Sequence, residues 1–286
     1  MTYRVAPAKQ KKVNRRDIKV RERMASLTLA SAWMPILLEA AENVRKRTQR
    51  TMLNKQAMDL VELKKLLDTE AQKAIRDTLK QTGKPVRVVS EEGDFSIGRG
   101  GPYLTVDPVD GTTNMAKGIP LAVTSLALSK SLNLSGVVAG LVMNLYTGEV
   151  YRAERNKGAW QGERRISSAK SRPVSEAMVS IDISKGAPLD GVEGLIRQAG
   201  RLRQMGSAAL SLCYIASGVM DAHVDVRDMV RTTDVAAGLL ILKEAGGAYT
   251  IDGTKDGDLE LSRGRTLKLV AASTPWTLEK VLKAMV

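Results

Sequence analysis

The change from helical to β-type periodicity near residue 84 is the feature that most constrains how this chain can fold. Apolar residues recur every three or four positions over 33–44 and over 58–79. This spacing predicts a first core helix, with Pro35 in its first turn, and a second helix. Gly83 and Pro85 then end the helical pattern, and short β-branched runs follow. The first half of the chain is therefore expected to be two helices followed by a sheet.

Strand-like and helix-like segments alternate irregularly over the rest of the chain, which predicts an α/β or α+β fold with layered sheets. Strands are expected near 86–89, 103–106, 122–128, 137–143, 150–151, 179–183, 222–226 and 266–272, and helices near 207–217, 234–245 and 275–285. A polar stretch over 167–173 is the best candidate for a boundary. We therefore expect an N-terminal α+β half over 24–168 and a C-terminal α/β half over 169–286.

The first 23 residues carry more than half of the excess positive charge. They contain nine Lys or Arg and two acidic residues, a charge of +7, whereas the whole chain of 286 residues has a net charge of +13. This composition predicts a disordered, solvated tail over 1–23, and it leaves open an arm that contacts nucleic acid or another polyanion. Aromatic residues are only 3% of the chain, which argues against a stacking platform for single-stranded nucleic acid.

The chain has a single cysteine, Cys213, and a single histidine, His223. One cysteine excludes an internal disulfide, and one histidine excludes metal sites built from several imidazoles. Both residues are expected to be structural. Carboxylates, hydroxyls, Lys, Arg or a hard metal ion must therefore carry any chemistry.

An apolar stretch over 27–38 follows basic residues and superficially resembles the core of a signal peptide. It is too short to span a bilayer, and it continues directly into the amphipathic pattern of the first helix. We therefore predict a cytoplasmic protein with no membrane segment.

The segment Asp107–Asn114, with the sequence DPVDGTTN, carries two carboxylates three residues apart just after a predicted strand. Pro108 fixes the backbone between them, and Gly111 permits a tight turn. The residues after Gly111 resemble the beginning of a helix, whose free N–H groups favour a phosphate. Taken alone, the pattern also fits a plain turn with a helix cap.

Further carboxylates stand at the ends of predicted elements. Glu91 and Glu92 follow a strand, and Asp234 opens a helix after two threonines. Each has an ordinary explanation, since surface glutamates are solvated and an aspartate can cap a helix. Together with Asp107 and Asp110, they form the oxygen ligand set that Mg²⁺ shares with phosphate groups.

These motifs resemble the inositol monophosphatase family of Mg²⁺-dependent, Li⁺-sensitive phosphatases. Within it, the chain is most similar to archaeal-type members that act on inositol phosphates and fructose 1,6-bisphosphate. The resemblance covers the chain from about residue 25 to its end, and it rests on Glu91 and Glu92, on DPVDGTTN, and on residues 233–238 followed by 244–247. It implies a layered αβαβα sandwich, a homodimer, Mg²⁺ as the cofactor and Li⁺ as an inhibitor.

The resemblance also implies roles for these residues. Two Mg²⁺ ions would be held by Glu91, Asp107, the carbonyl of Val109, Asp110 and Asp234. Thr112, with Glu91, would orient the attacking water, and Asp110 would belong to the same catalytic set. A third ion would involve Asp68, for which Asp59 is a competing choice.

The substrate contacts follow from the same resemblance. The transferred phosphate would bind at Gly111, Thr112 and Thr113. The remaining contacts would come from Gly206, Ser207, Asp225, Arg203, Arg227 and Arg231. The three arginines are candidates for a second phosphate, although each also fits a surface position. Thr233 stands where many family members have Trp, which bears on packing near the substrate.

The sequence therefore predicts a Mg²⁺-dependent phosphoric monoester hydrolase that acts on inositol 1-phosphate, fructose 1,6-bisphosphate or both by attack of water. Two alternatives stay open at this point. One is hydrolysis of the 3′- or 2′-phosphate of a nucleotide. The other is a nucleic-acid-binding accessory protein that uses the basic arm.

Overall fold

The structure, a computed structural model, describes residues 15–55, 58–184, 186 and 189–285. The helices are α1 (Arg15–Leu53), α2 (Leu60–Thr82), α3 (Thr112–Lys117), α4 (Glu193–Gln198), α5 (Ala208–Ala216), α6 (Thr232–Glu244) and α7 (Pro275–Ala284). The strands are β1 (Val86–Ser90), β2 (Phe95–Ile97), β3 (Tyr103–Asp110), β4 (Val123–Ser129), β5 (Val137–Asn144), β6 (Val150–Glu154), β7 (Gly158–Gln161), β8 (Arg164–Ile166), β9 (Met178–Asp182), β10 (Arg201–Arg203), β11 (Ala222–Arg231), β12 (Ala248–Ile251), β13 (Thr254–Lys255) and β14 (Thr266–Ala272). Among the described helices, none combines the length and apolar character that a membrane span requires.

Two sheets form the framework. The first has eight strands in the order β2-β1-β3-β4-β5-β6-β7-β8, and the second has six in the order β10-β9-β11-β14-β12-β13. Within the first sheet, β1 and β3 run parallel. In the second sheet, β9 is parallel to both of its neighbours, β10 and β11. The polar stretch over 167–173 lies between the last strand of one sheet and the first of the other.

Helices cover both faces of each sheet, so that five layers alternate. The apolar face of α1 and α2 packs on one side of the first sheet, where Leu37, Leu67 and Ile75 are fully buried. Helices α5 and α6 lie between the sheets and form the central core with both of them. Helices α4 and α7 cover the outer side of the second sheet, where Leu195 and Val281 are buried. This arrangement confirms the expected layered αβαβα class, and the two halves share the central core.

Helix α1 differs from its prediction at the N-terminal end. It begins at Arg15, so residues 15–23 are helical, although the sequence assigned them to a disordered tail. Residues 1–14 of that tail lie outside the described residues. Pro35 consequently lies inside the helix and not in its first turn. The prediction followed the start of apolar periodicity, but the charged residues before it are also good helix formers.

The short elements were not predicted. Strands β2, β7, β8, β10, β12 and β13 and helix α4 are at most six residues long, and most have exposed or partly exposed positions. Such segments carry little periodic signal, because they stand at sheet edges or in hairpins. Strands β3 and β11 also run further than predicted, as far as Asp110 and Arg231. These two extensions lead into the region of the acidic residues.

Helix α6 approaches the first sheet so closely that one strand needs a residue without a side chain. A Cβ added at Gly140 on β5 would lie 2.8 Å from the carbonyl oxygen of Ala237 on α6. Because the contact is with backbone, neither element can give way without moving the other. Gly140 thus sets the distance between α6 and the sheet.

We expect Gly140→Ala to lower the free energy of unfolding by about 1–3 kcal/mol, as overpacking of a close-packed interior does. Urea denaturation followed by circular dichroism measures this change. Gly191→Ala is the matched control, because a Cβ there meets nothing within 4 Å. Equal stability of the two variants would show that α6 can shift at no cost.

Candidate active site

Two parallel strands bring Glu91 and Asp107 together. Ser90 of β1 stands opposite Val106 of β3, so the residue that follows each of them comes out at the same edge of the sheet. The N–H of Glu91 donates to the carbonyl of Val106 (3.2 Å), which extends the pairing by one residue. Asp107 is buried and Glu91 is partly exposed.

The third carboxylate of the cluster comes from the first turn of α6. Ser125 on β4 stands opposite Asp107 on β3. The hydroxyl of Ser125 donates a hydrogen bond to the backbone carbonyl of Asp234 (3.4 Å). The N–H of Arg231 and a neighbouring threonine hydroxyl each donate to the Asp234 carboxylate at 2.9 Å. Carboxylate oxygens of Glu91, Asp107 and Asp234 lie within 4.8 Å of one another. These three residues are the group that the structure places best for a metal ion.

Asp110 links this cluster to the second half of the chain. Its Oδ2 accepts hydrogen bonds from the hydroxyl of Ser207 and from the N–H of Ala209, both at 2.7 Å. Ser207 is also the N-cap of α5. Both described hydrogen bonds of the Asp110 carboxylate end on Oδ2, so Oδ1 is the oxygen available to an ion.

Burial raises the pKa values of the aspartic acids at this site. The pKa of Asp107 lies well above its usual value because of burial and then because of repulsion by Asp234 and Asp110. Burial raises the pKa of Asp110 to about 8 and the pKa of Asp234 to about 6. Burial, with repulsion from Glu92, raises the pKa of Asp68 to about 7. A bound cation would remove the repulsion and favour the ionised forms, so the charge pattern fits a divalent metal site.

Thr112 connects the cluster to α2. Its Oγ1 lies 3.0 Å from Oδ1 of Asp68 and 2.9 Å from the carbonyl oxygen of Val109, and its single proton can go to either. Asp59 instead caps α2, because its Oδ1 accepts the N–H groups of the second and third residues after it. The structure therefore brings Asp68 to the site and leaves Asp59 outside it.

The turn before α3 is closed by a glycine and an asparagine. Gly111 has a φ of 91°, and a Cβ there would lie 2.6 Å from the carbonyl oxygen of Leu121. Nδ2 of Asn114 donates to the carbonyls of Leu121 (2.9 Å) and Met205 (2.8 Å). These bonds hold the turn next to Gly206, so both segments face one cleft.

The cluster lies in an open cleft of about 510 Å³. The cleft is lined by Glu91, Asp107, Val109, Asp110, Gly111, Thr112, Thr113, Asn114, Asp182, Ser184, Gln204, Gly206, Ser207, Ala208, Arg227, Met229, Val230, Arg231 and Asp234. The sequence did not indicate Asp182, Ser184 or Gln204 as site residues. The sequence does contain a signal for Asp182, because it is the last residue of β9 and other carboxylates of the cleft also stand at the ends of helices or strands.

Arg227 is held by two carboxylates at the edge of the cleft. Its Nε donates to Oδ1 of Asp225 (3.0 Å), and its Nη2 pairs with Oδ2 of the same residue. Its Nη1 donates to the hydroxyl of Ser184 (2.7 Å), and its Nη2 lies 3.6 Å from Asp182. Asp225 is fully buried and contacts Arg227, and it does not line the cleft. The charge of Arg227 is therefore already opposed in the protein itself.

The other two arginines are placed differently from each other. Arg231 lines the cleft, and its Nη1 forms an ion pair with Oε1 of Glu91. Arg203 is exposed on β10, at the edge of the second sheet, and its Nη1 donates to the carbonyl of Leu202 (2.7 Å). Arg203 is not among the residues that line the cleft. The structure thus brings Arg227 and Arg231 to the site and leaves Arg203 outside it.

Closely spaced carboxylates beside a glycine turn, in an open cleft of a five-layer αβαβα fold, could hold a metal ion next to a phosphate group. The sequence model of the inositol monophosphatase family matches residues 20–285. The chain belongs to the inositol monophosphatase family, as the motifs predicted, and is a phosphoric monoester hydrolase.

Relatives from archaea and bacteria agree with this assignment. A Methanothermobacter thermautotrophicus protein named fructose-1,6-bisphosphatase/inositol-1-monophosphatase is 32% identical over 272 residues, which cover 88% of this chain and 96% of that protein. The inositol-1-monophosphatase of Rhizobium meliloti is 35% identical over 190 residues, covering 64% of this chain and 70% of that protein. The solved structure of the extragenic suppressor protein SuhB from Bartonella henselae has a TM-score of 0.73 at 26% identity, covering 89% of this chain and 98% of that one.

The pairing of Arg227 leads to a prediction about stability. Arg227→Ala would remove the counter-charge of Asp225, which is 0% exposed, and would leave it only the hydrogen bond from the backbone N–H of residue 227 (3.0 Å). We expect the free energy of unfolding to fall by about 3–5 kcal/mol, as when one partner of a buried ion pair is removed. Thermal and urea denaturation measure the loss. Arg203→Ala removes the same charge from an exposed side chain and should change stability by less than about 0.5 kcal/mol. Similar losses in both variants would contradict the buried-pair assignment.

Proposed function

We propose that this protein is a Mg²⁺-dependent phosphomonoesterase that hydrolyses a sugar phosphate of the inositol 1-phosphate or fructose 1,6-bisphosphate type. The observation that carries the proposal is the approach of the Glu91, Asp107 and Asp234 carboxylates within 4.8 Å, beside the turn at Gly111. The archaeal relative, whose name combines both activities, supports the two substrates.

The ligand set fits Mg²⁺ by its chemistry. The chain's single cysteine and single histidine do not line the cleft, and its acidic wall offers only oxygen donors. In the proposal, two ions are held by Glu91, Asp107, the carbonyl of Val109, Asp110 and Asp234. A third ion would involve Asp68, which the structure favours over Asp59 by its contact with Thr112.

Ions held there would acidify a coordinated water and offset the charge of the phosphoryl oxygens. Thr112 directs its one proton at Asp68 or at the carbonyl of Val109, so its lone pairs can accept a hydrogen bond from a water in the cleft. Asp68, whose Oδ1 lies 3.0 Å from the Thr112 hydroxyl, is the group that would take up a proton passed through that hydroxyl. The attacking water forms the new P–O bond as the bond between phosphorus and the ester oxygen breaks. The ester oxygen takes up a proton from solvent in the open cleft and leaves with the sugar as a hydroxyl group.

The rest of the cleft would bind the substrate. We assign the transferred phosphate to the backbone N–H groups at Gly111, Thr112 and Thr113, because the first N–H groups of a helix have no partner within it. Gly206 and Ser207 line the same cleft beside this turn and would contact the sugar. Arg227 and Arg231 are the cleft arginines that could approach a second phosphate, whereas Asp225 would act through Arg227.

Three finer statements belong to the same proposal. Inhibition by Li⁺ and a homodimer rest on the family resemblance, and a cytoplasmic location rests on the interpretation of residues 27–38 as part of the first helix. Light scattering of the purified protein tests the dimer, and titration of the activity with LiCl tests the inhibition. The nucleotide phosphatase and the nucleic-acid-binding accessory protein are not favoured, since the two sequence relatives described above have the names of inositol and fructose phosphatases.

The deciding experiment is phosphate release from inositol 1-phosphate, from fructose 1,6-bisphosphate and from a 3′-phosphorylated nucleotide, each with Mg²⁺ and with EDTA. We expect Mg²⁺-dependent turnover of at least one sugar phosphate, and its loss in Asp107→Asn. Asp59→Asn is the matched control, because asparagine caps a helix as well as aspartate does. Turnover of the nucleotide alone, or turnover in EDTA, would contradict the proposal.

Thr112 provides the test of the proton path. We expect Thr112→Ala to lower kcat by about 10²–10⁴-fold, the usual contribution of a positioned acid–base group. Thr112→Ser keeps the hydroxyl and should retain activity within about tenfold. Mg²⁺ binding, followed by calorimetry, should survive in both variants. Full activity of the alanine variant would remove Thr112 from the mechanism.

A further inference from the structure

The ion pair between Arg231 and Glu91 joins a cation of this chain to a residue that the proposed function makes a metal ligand. Nη1 of Arg231 contacts Oε1 of Glu91, and the two side chains are 38% and 29% exposed. The contact exists because β11 continues to Arg231, six residues past Asp225, where its regular pairing with β14 is interrupted. The extra length of β11 carries the guanidinium to the carboxylate cluster.

Arg231 acts on the cluster in two separable ways. Its backbone N–H holds Oδ2 of Asp234 at 2.9 Å, and this bond does not depend on the side chain. Its side chain neutralises Glu91, one of the three carboxylates within 4.8 Å of one another. A substitution at position 231 can therefore remove the counter-charge and leave the position of Asp234 unchanged.

A guanidinium and a divalent cation compete for the same carboxylate charge. When Glu91 is paired with Arg231, the negative charge available to an ion is reduced, and the arginine also repels the ion. A metal that uses Glu91 must therefore break the pair or share it. Because the pair is partly exposed, its effect is expected to be modest, within about a tenfold change in an equilibrium constant.

We propose that Arg231 sets the metal affinity of the active site by competing with the divalent ion for Glu91. The inference rests on the proposed function, because it requires Glu91 to be a metal ligand. In the metal-free protein, Arg231 stabilises the crowded carboxylates, and on metal binding it is released into the cleft. The chain thus carries its own competitor for the cofactor, which raises the Mg²⁺ concentration that the enzyme needs.

The test is calorimetric titration of metal-stripped protein with MgCl₂ at about 150 mM KCl, where distant charges are screened. We expect Arg231→Met to bind Mg²⁺ about three- to tenfold more tightly than the wild type. It should also unfold at a lower temperature in EDTA, because the carboxylates lose their counter-charge. Arg231→Lys keeps the positive charge without the planar guanidinium group, and its Mg²⁺ affinity should lie between those of the wild type and Arg231→Met. Arg203→Met, with the same loss of charge outside the cleft, should bind Mg²⁺ as the wild type does.

A double-mutant cycle separates competition from a general effect of charge. In a Glu91→Gln background, adding Arg231→Met should no longer tighten Mg²⁺ binding, because the competing pair is already gone. The same tightening in both backgrounds would overturn the proposal in favour of a field effect. Unchanged Mg²⁺ affinity with weaker binding of inorganic phosphate would make Arg231 a phosphate ligand only, and would also overturn it. A wild type that binds no Mg²⁺ would instead reject the proposed function itself.

Discussion

Repulsion between carboxylates at the shared edge of β1 and β3 is the constraint on which the rest of this structure depends. Burial and mutual repulsion raise the pKa values of Asp107, Asp110 and Asp234, so the cluster is unfavourable without a cation. The fold holds it together through backbone contacts that cost little to maintain. Parallel pairing aligns Glu91 with Asp107, a main-chain N–H fixes Asp234, and another fixes Asp110.

Helix α6 explains how a five-layer fold can support such a site. It lies in the central core between the sheets, and its first turn delivers Asp234 to the end of the first sheet. The close approach at Gly140 fixes its distance from β5. Because the helix is packed on both sides, the carboxylate at its N-terminus cannot move without disturbing both sheets. The stability of the core and the geometry of the carboxylate cluster are therefore linked.

The cleft balances charge within the protein as well as toward its ligands. Arg227 is opposed by Asp225 and Asp182, and Arg231 is opposed by Glu91. A phosphate or a metal entering the cleft must exchange partners with these pairs, since both arginines are already engaged. This exchange is where the affinity for a second phosphate, and the affinity for Mg²⁺, would be set. Because these arginines are paired with carboxylates, the net positive charge of the whole chain does not give the net charge of the cleft.

The sequence by itself determined the long helices, the inner strands, the layered class and the family, because these follow from periodicity and from the uninterrupted motif DPVDGTTN. It also indicated four of the five carboxylates that line the cleft, since each stands at the end of an element, and it missed Asp182. Only the tertiary structure decided between Asp68 and Asp59, excluded Arg203 and joined Arg231 to Glu91. Those outcomes depend on the lengths of the strands and on contacts between residues that are far apart in the sequence. Asp68 and Thr112 are separated by 44 positions, and Glu91 and Arg231 by 140. No local pattern records such distances, because side-chain partners are chosen by packing.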